Sequence, residues 1–234
     1  MSRFVFSEPP VVSLAVRDVA GTGNSSRFPV RRVYCVGRNY AEHAVEMGHD
    51  PGHEEPFFFT KPRDAVRASG GRFTFPTMTE VLHPEVELVV AIGRDGADID
   101  VEHALDHVYG YAVGLDMTRR DLQQRAKSEG RPWDMGKAFD DSAPMSEVVP
   151  ASEIGHPVSA AITLEVNDGV AQAADISQLI WSVPHIIAIL SRYVRLGAGD
   201  LIMTGTPAGV AAIRAGDTLR GTIEGIGTVE ARYG

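Results

Sequence analysis

Two glutamates that could share a metal ion stand one residue apart in the segment HPEVELVVAIG. They are Glu85 and Glu87. The apolar residues after them predict a strand, on which residues two apart point to the same side. Adjacent carboxylates repel each other unless a proton or a cation separates them, and their hard oxygen atoms favour Mg²⁺, Mn²⁺ or Ca²⁺. The spacing therefore indicates a metal site, with an exposed polar strand face as the alternative.

A third carboxylate, Asp116, lies between a predicted Gly-interrupted strand and the predicted helix TRRDLQQRAKSEGRP. At a strand end it could reach a metal ion held by another strand, although aspartate is also common at helix starts. We expect Thr118 to be the N-cap of this helix, with Asp121 completing a capping box and Gly130 ending the helix. Asp116 is then available for another role.

An imidazole and a carboxylate stand three residues apart in NYAEHAVEMG, where the helical spacing ends at Gly48. His43 and Glu46 would be neighbours on this helix. A carboxylate beside an imidazole orients the ring and raises its basicity, as a general base requires. A solvated surface pair is the alternative. The residues that follow, 48–56, predict a mobile loop.

Two further segments could bind an anion. Lys137 has an apolar local setting in MGKAFD, and a buried lysine keeps its charge only beside an anion such as a metal-bound carboxylate. A surface lysine is the alternative. In the segment TGTP, at 204–207, small residues let a ligand approach the backbone, where N–H groups and hydroxyls could hold a carboxylate. A tight turn between strands is the alternative.

The elements that position these residues are mostly short strands. A hairpin is expected to turn at 167–169, and a helix over 176–194 is expected to kink or divide at Pro184. Cys35 and Trp181 are expected in the core. Because the helices do not alternate regularly with the strands, we predict an α+β fold of the mixed β-roll or β-sandwich type, with a few peripheral helices.

Composition excludes several classes of protein. The chain has 234 residues, 44% of them apolar and 23% charged, as is typical of globular proteins. A net charge of -9 argues against nucleic acid or an anionic membrane as a partner. One cysteine, no evident signal peptide and no long apolar run predict a cytoplasmic protein without a membrane segment. Walker and Rossmann glycine motifs are absent, so no nucleotide cofactor is indicated.

Taken together and in this order, the motifs resemble those of the fumarylacetoacetate hydrolase family. The matching segments run from VYCVGRNYAEHAVEMG to GDLIMTGTPAGV, over about residues 31–230. Within the family, the sequence is most similar to the short hydrolases of fumarylpyruvate and other acylpyruvates. One departure is Pro84, which removes a backbone donor at the start of the strand that carries the two glutamates.

Residues 1–30 are expected to form an accessory segment, because the stretch AGTGNSSRFP within it has the Gly- and Ser-rich composition of a loop or linker. The resemblance implies residues 31–234 as the catalytic domain, and a homodimer that uses Mg²⁺ or Mn²⁺. It implies the metal ligands Glu85, Glu87 and Asp116. It places the catalytic pair His43–Glu46 in a lid over residues 41–56. It also implies the substrate contacts Arg38, Gln123, Lys137 and Thr206.

The implied reaction is hydrolysis of a 2,4-dioxo acid, with 3-fumarylpyruvate and water giving fumarate and pyruvate in the catabolism of aromatic compounds. His43 would take a proton from the attacking water, and Lys137 would help to hold the pyruvyl end. The distal carboxylate needs a cation, for which the candidates are Arg38, Arg119, Arg120, Lys61 and Arg63. The alternatives are hydrolysis of another acylpyruvate, oxaloacetate decarboxylation, and a non-catalytic, metal-dependent module that binds dicarboxylates.

Overall fold

The computed structural model describes residues 5–7, 9–19, 21, 23, 26–47 and 55–234. The strands are β1 (Ser13–Ala15), β2 (Arg27–Pro29), β3 (Arg32–Gly37), β4 (Phe57–Lys61), β5 (Val66–Ala68), β6 (Gly71–Phe73), β7 (Leu82–His83), β8 (Val86–Ile92), β9 (Val108–Leu115), β10 (Thr118–Arg119), β11 (Ala143–Met145), β12 (Val149–Pro150), β13 (Ala161–Val166), β14 (Gly169–Asp175), β15 (Asp200–Met203), β16 (Thr218–Ile223) and β17 (Gly227–Tyr233). The α-helices are α1 (Ala41–Glu46), α2 (Arg120–Ser128), α3 (Asp134–Lys137), α4 (Ala151–Ile154) and α5 (Val183–Tyr193). Short 3₁₀ helices cover Arg63–Ala65, Val101–His107 and Ile176–Gln178.

Two sheets form the body of the protein. The larger has the order β4-β3-β15-β8-β9-β11-β5, with β12 beside β9, and the smaller has the order β14-β13-β16-β17-β6. One face of the larger sheet packs on the smaller sheet and on α5, through residues such as Leu88, Leu164 and Ile187. Its other face packs on β1 and β2 through Leu14 and Phe28. The predicted α+β architecture with a few peripheral helices is confirmed.

Four strand ends meet at one edge of the larger sheet. Strands β3 and β15 are parallel, β8 is antiparallel to β15, and β9 is antiparallel to β8. The carboxyl ends of β3, β15 and β9 therefore lie beside the start of β8. This edge collects segments that are far apart in the chain, and it carries the candidate site.

The predicted cap of α2 is wrong. Thr118 pairs with His83 across β10 and β7, and α2 begins at Arg120 without a side-chain cap. Asp121 accepts a hydrogen bond from the Thr79 hydroxyl at 2.6 Å instead of completing a capping box. The reason is tertiary, because pairing with β7 keeps the backbone extended for one residue longer than the local sequence favours.

Two other local predictions are confirmed. The hairpin between β13 and β14 turns at Asn167 and Asp168, which both have positive φ, as its two-residue turn requires. The predicted helix over 176–194 is divided. A 3₁₀ turn covers Ile176–Gln178, and α5 begins at Val183 with Pro184 in its first turn. There proline costs no hydrogen bond.

Some predictions fall on residues that the structure leaves undescribed. Gly48, and with it residues 48–54 of the expected loop and lid, lies outside the described residues, as do residues 20, 22, 24 and 25 of the expected linker. The division into an accessory segment and a catalytic domain stays a prediction. Cys35 is fully buried in β3, as expected, and burial raises the pKa of its thiol. In the described part of the chain, every helix is too short or too polar to cross a lipid bilayer.

Gln172 joins the two sheets beside the site edge. It is buried on β14 and accepts a hydrogen bond from the Val86 amide of β8 at 3.0 Å. Its own amide donates to the Thr206 hydroxyl at 2.9 Å and to the Pro207 carbonyl at 2.7 Å. These bonds fix the start of β8 against the loop that follows β15. A lone glutamine in a strand carries no spacing signal, so the sequence did not identify it.

We expect Gln172→Leu to lower the free energy of unfolding by about 2–4 kcal/mol, since it leaves a buried amide and a buried carbonyl without partners. The measurement is urea unfolding. Gln178→Leu is the matched control, because Gln178 is exposed and accepts one hydrogen bond at 3.3 Å. An equal loss in both variants would contradict the role of Gln172 as a link between the sheets.

Candidate metal centre and active site

Three buried carboxylates converge where β8 begins and β9 ends. The register pairs Val86 with Leu115, which sets Glu85 beside Asp116, and the Asp116 amide donates to the Glu85 carbonyl at 2.8 Å. Glu87 follows two residues further along β8. One oxygen from each of the three carboxylates lies within 4.8 Å of the other two. The structure thus brings together the three residues that the sequence suggests as metal ligands.

Three buried cations surround these carboxylates. The Lys137 Nζ lies 2.6 Å from Glu85 Oε2 and 2.7 Å from Asp116 Oδ2. The Lys61 Nζ is 2.8 Å from Asp116 Oδ1, and Arg120 forms an ion pair with Glu85. Burial would lower the pKa of Lys137, but Asp116 and Glu85 outweigh burial and raise it. Lys137 therefore stays charged in the interior, because its partners offset the cost of removing it from water.

The carboxylates differ in how well these cations stabilise them. Burial alone would raise the pKa of Glu85, but Lys137 and Arg120 outweigh it and lower the pKa. Burial raises the pKa of Glu87 well above its usual value, and the charges of Asp116 and Glu85 raise it further. Glu87 is therefore the carboxylate that most needs another cation beside it.

The donor set fits a hard divalent ion. Glu85, Glu87 and Asp116 supply only oxygen atoms, which suits Mg²⁺ or Mn²⁺ better than zinc. Asp116 Oδ1 is buried, and among the described residues the Lys61 ammonium is the cation beside it, so one of its two lone pairs can face an ion. This oxygen is therefore suited to coordination.

His43 lines the same cavity as the carboxylates, and Glu46 contacts its imidazole. The His43 Nδ1 is 3.1 Å from Glu46 Oε2, and the imidazole is only 8% exposed. Glu46 also accepts a hydrogen bond from the Gly209 amide at 3.2 Å, which ties α1 to the loop after β15. The contact with Glu46 occupies Nδ1, so Nε2 is the nitrogen that can exchange a proton with a ligand.

Asn39 anchors the turn that leads from β3 into α1. It is fully buried, and its amide donates to the Trp181 carbonyl at 2.9 Å and to the Thr204 carbonyl at 2.8 Å. Its carbonyl oxygen accepts from the Trp181 amide at 2.7 Å. Arg38, just before it, has a φ of 57°, a left-handed conformation that is costly for a residue other than glycine. Asn39 carries no spacing signal in the sequence, because its hydrogen-bond partners are distant in the chain.

The TGTP segment holds a carboxylate, as its composition suggests, but that carboxylate belongs to the protein. The Gly205 amide donates to Glu87 Oε2 at 2.8 Å. Gly205 has a φ of 102°, and a Cβ there would lie 2.8 Å from the Asn39 side chain, so glycine is required. The Thr206 hydroxyl donates to the backbone of β8 and accepts from Gln172.

A cavity of about 120 Å³ opens beside the three carboxylates. All four expected substrate contacts line it: Arg38, Gln123, Lys137 and Thr206. The buried Gln123 accepts a hydrogen bond from Arg120 at 2.6 Å within α2, and the ion pair between Arg120 and Glu85 holds α2 to the metal-ligand cluster.

The five cationic residues expected as candidates to bind the distal carboxylate of the substrate fall into three groups. Lys61 and Arg120 contact the buried carboxylates and neutralise them. Arg119 stacks on the Phe139 ring and Arg63 is exposed, and neither is among the described residues that line the cavity. Arg38 lines the cavity and stacks on the Phe57 ring.

Comparison with known proteins identifies the family to which the chain belongs. The family model described as fumarylacetoacetate (FAA) hydrolase C-terminal matches residues 32–233. A fumarylpyruvate hydrolase from a Ralstonia species is 45% identical over 79% of this chain and 96% of its own length. The mitochondrial oxaloacetate tautomerase FAHD1 of Rattus norvegicus is 41% identical over 89% of this chain and 95% of its own length.

A crystal structure of fumarylpyruvate hydrolase from Pseudomonas aeruginosa, in complex with Mn²⁺ and pyruvate, has a TM-score of 0.93 and 52% identity over 99% of both chains. The family model covers most of the chain, and these relatives match between 79% and 99% of its length. The chain therefore belongs to the fumarylacetoacetate hydrolase family of carbon–carbon bond hydrolases.

Proposed function

We propose that this chain is a metal-dependent hydrolase of 2,4-dioxo acids that cleaves 3-fumarylpyruvate with water to fumarate and pyruvate. The observation that carries the proposal is a single cavity lined both by His43, which contacts Glu46, and by the cluster of Glu85, Glu87 and Asp116. A similar fumarylpyruvate hydrolase binds Mn²⁺ and pyruvate, the expected product. A binding module would need no imidazole–carboxylate pair beside the cluster.

The pyruvyl end of the substrate belongs at the carboxylate cluster. Glu85, Glu87 and Asp116 would hold Mg²⁺ or Mn²⁺, which supplies Lewis acidity toward an α-keto acid when it is bound. Lys137 and Arg120 add positive charge at this end of the cavity, where the leaving fragment develops its negative charge.

His43 acts as the general base. It takes a proton from water, and the oxygen attacks the 4-oxo carbon of the substrate. The bond between carbons 3 and 4 then breaks, and its electron pair leaves on carbon 3 as the pyruvate enolate, which a proton converts to pyruvate. Glu46 positions the imidazole and stabilises its protonated form. The acyl group leaves as fumarate.

Oxaloacetate is the second candidate substrate, because similar proteins include an oxaloacetate tautomerase from rat and an oxaloacetate decarboxylase from Dictyostelium discoideum. Its decarboxylation would use the same anchoring of the α-keto acid, but it would not require an activated water. Its dependence on His43 should therefore be smaller.

We further infer that the enzyme is a cytoplasmic homodimer. The homodimer is the state implied by the family resemblance, and the buried, single Cys35 suits a reducing compartment.

The purified protein should cleave fumarylpyruvate with Mg²⁺ or Mn²⁺, followed as loss of the diketo-acid absorbance with formation of pyruvate. His43→Gln should lower kcat by about 10²- to 10⁴-fold with little change in KM, because it removes the base and not the binding of the substrate. Oxaloacetate and acetylpyruvate complete the panel of substrates.

The matched control is His103→Gln. His103 also has an acidic partner three residues later, Asp106 at 3.4 Å, but this pair is largely exposed and does not line the cavity. Turnover of the His103→Gln protein should equal that of the wild type. Near-normal cleavage of fumarylpyruvate by His43→Gln would remove His43 from the role of base.

Metal binding has a readout that does not depend on turnover. Saturating Mn²⁺ should raise the Tm of the wild type by about 5–10 °C, as expected for a ligand at roughly a hundred times its Kd. Glu87→Gln should lose most of this rise, whereas Glu224→Gln, an exposed change in the turn before β17, should keep it. A full Mn²⁺ shift in Glu87→Gln would show that the ion binds elsewhere.

A further inference from the structure

The cavity beside the carboxylates adjoins a second, larger cavity. The first has a volume of about 120 Å³, below the roughly 300–1000 Å³ that is common for ligand pockets. The second has a volume of about 560 Å³ and shares five lining residues with the first: Arg38, Phe57, Phe59, Trp133 and Lys137. A ligand longer than an α-keto acid therefore has room to extend from the carboxylates into the second cavity.

Three aromatic rings form the wall that the two cavities share. The Trp133 ring meets the Phe57 ring edge to face, with centroids 5.1 Å apart and planes at 90°. It also packs on the Phe59 ring, at 5.8 Å. Phe57 and Phe59 lie two residues apart on β4, so their side chains point to the same side of the sheet. Trp133 reaches them from the position just before α3.

Two glycines permit this arrangement of rings. Gly37 pairs with Phe57 across β3 and β4, and a Cβ at Gly37 would overlap the Phe57 ring. A Cβ at Gly136 would lie 2.9 Å from the backbone nitrogen of Gln123, so glycine lets α3 pack closely against α2. The backbone on both sides is thus fitted to the aromatic wall.

Lys137 connects the aromatic wall to the metal-ligand cluster. Its ammonium lies 5.0 Å from the centre of the Phe59 ring, and it contacts Glu85 at 2.6 Å and Asp116 at 2.7 Å. The wall therefore begins at the cluster, where we place the pyruvyl end of the substrate. The acyl group at the other end of the substrate then lies within reach of the three rings.

We propose that Phe57, Phe59 and Trp133 form the subsite for the acyl group and favour flat, conjugated acyl groups over saturated ones. The inference rests on the proposed function and adds a specificity site to it. A fumaryl group is planar, because its double bond is conjugated with the 4-oxo group, so it can lie along an aromatic surface. A saturated succinyl group rotates about its single bonds and loses this freedom when it is bound. The rings therefore stabilise the planar group more.

The test compares kcat/KM for fumarylpyruvate with kcat/KM for succinylpyruvate, which has the same length and charge but a saturated acyl group. In Trp133→Leu, the ratio of the two values should fall about three- to tenfold, as expected for the loss of one aromatic contact. Phe59→Leu should lower the ratio in the same direction. Trp133→Phe, which keeps a flat ring, should leave it near the wild-type value. The comparison of ratios cancels the difference in intrinsic reactivity between the two substrates.

Tyr193→Leu is the control. It removes an exposed ring that packs on Phe58, the β4 residue between the two phenylalanines of the wall, but Tyr193 lines neither cavity. The ratio in this variant should not change. A substitution that only displaced Lys137 would lower kcat/KM for both substrates and leave their ratio unchanged.

If the wild type cleaves both substrates and Trp133→Leu leaves the ratio unchanged, the acyl subsite is overturned while the proposed function stands. The same conclusion follows if Tyr193→Leu lowers the ratio equally. A wild type that cleaves neither dioxo acid overturns both proposals.

Discussion

Burying three carboxylates within 4.8 Å of one another is unfavourable unless positive charge is buried with them, and the site is organised around this constraint. Lys137 contacts two of the carboxylates, while Lys61 and Arg120 each contact one. Glu87 is the exception, since its oxygen is held by the Gly205 amide and its pKa stays raised. The protein cations thus stabilise the cluster unequally and leave one carboxylate suited to a metal ion.

The fold brings these opposite charges together at the ends of several strands and not within one continuous sequence motif. The start of β8 and the ends of β3, β9 and β15 share one edge of the larger sheet. Buried amides then fix these ends to one another: Asn39 links the turn after β3 to the loop after β15, and Gln172 links that loop to β8. Such fully bonded polar side chains restrain the ligands and the base at the same time, as a preorganised site requires.

The charge balance has a consequence for the substrate. The carboxylates Glu85, Glu87 and Asp116 oppose the cations Lys61, Arg120 and Lys137, so the inner cluster is neutral overall when all six are ionised. A divalent ion would add two positive charges there, which favours an anionic ligand at the cluster.

Local periodicity was enough to pair Glu85 with Glu87 and His43 with Glu46, because which residues share a face depends only on strand and helix geometry. The α+β class also followed from the sequence, through the order of its short strands.

The sequence could not specify the β8–β9 register that brings Asp116 to Glu85, nor the approach of Lys61 and Lys137, since these contacts join segments up to 76 residues apart. Thr118 shows the same limit, because pairing with His83 overrode its local preference for a helix cap. Asn39 and Gln172 went unrecognised because a buried hydrogen bond to distant backbone leaves no periodic trace in the chain. Short-range geometry therefore determined the reactive pairs, and only tertiary packing, which sets the long-range contacts, brought His43 and the three carboxylates to one cavity.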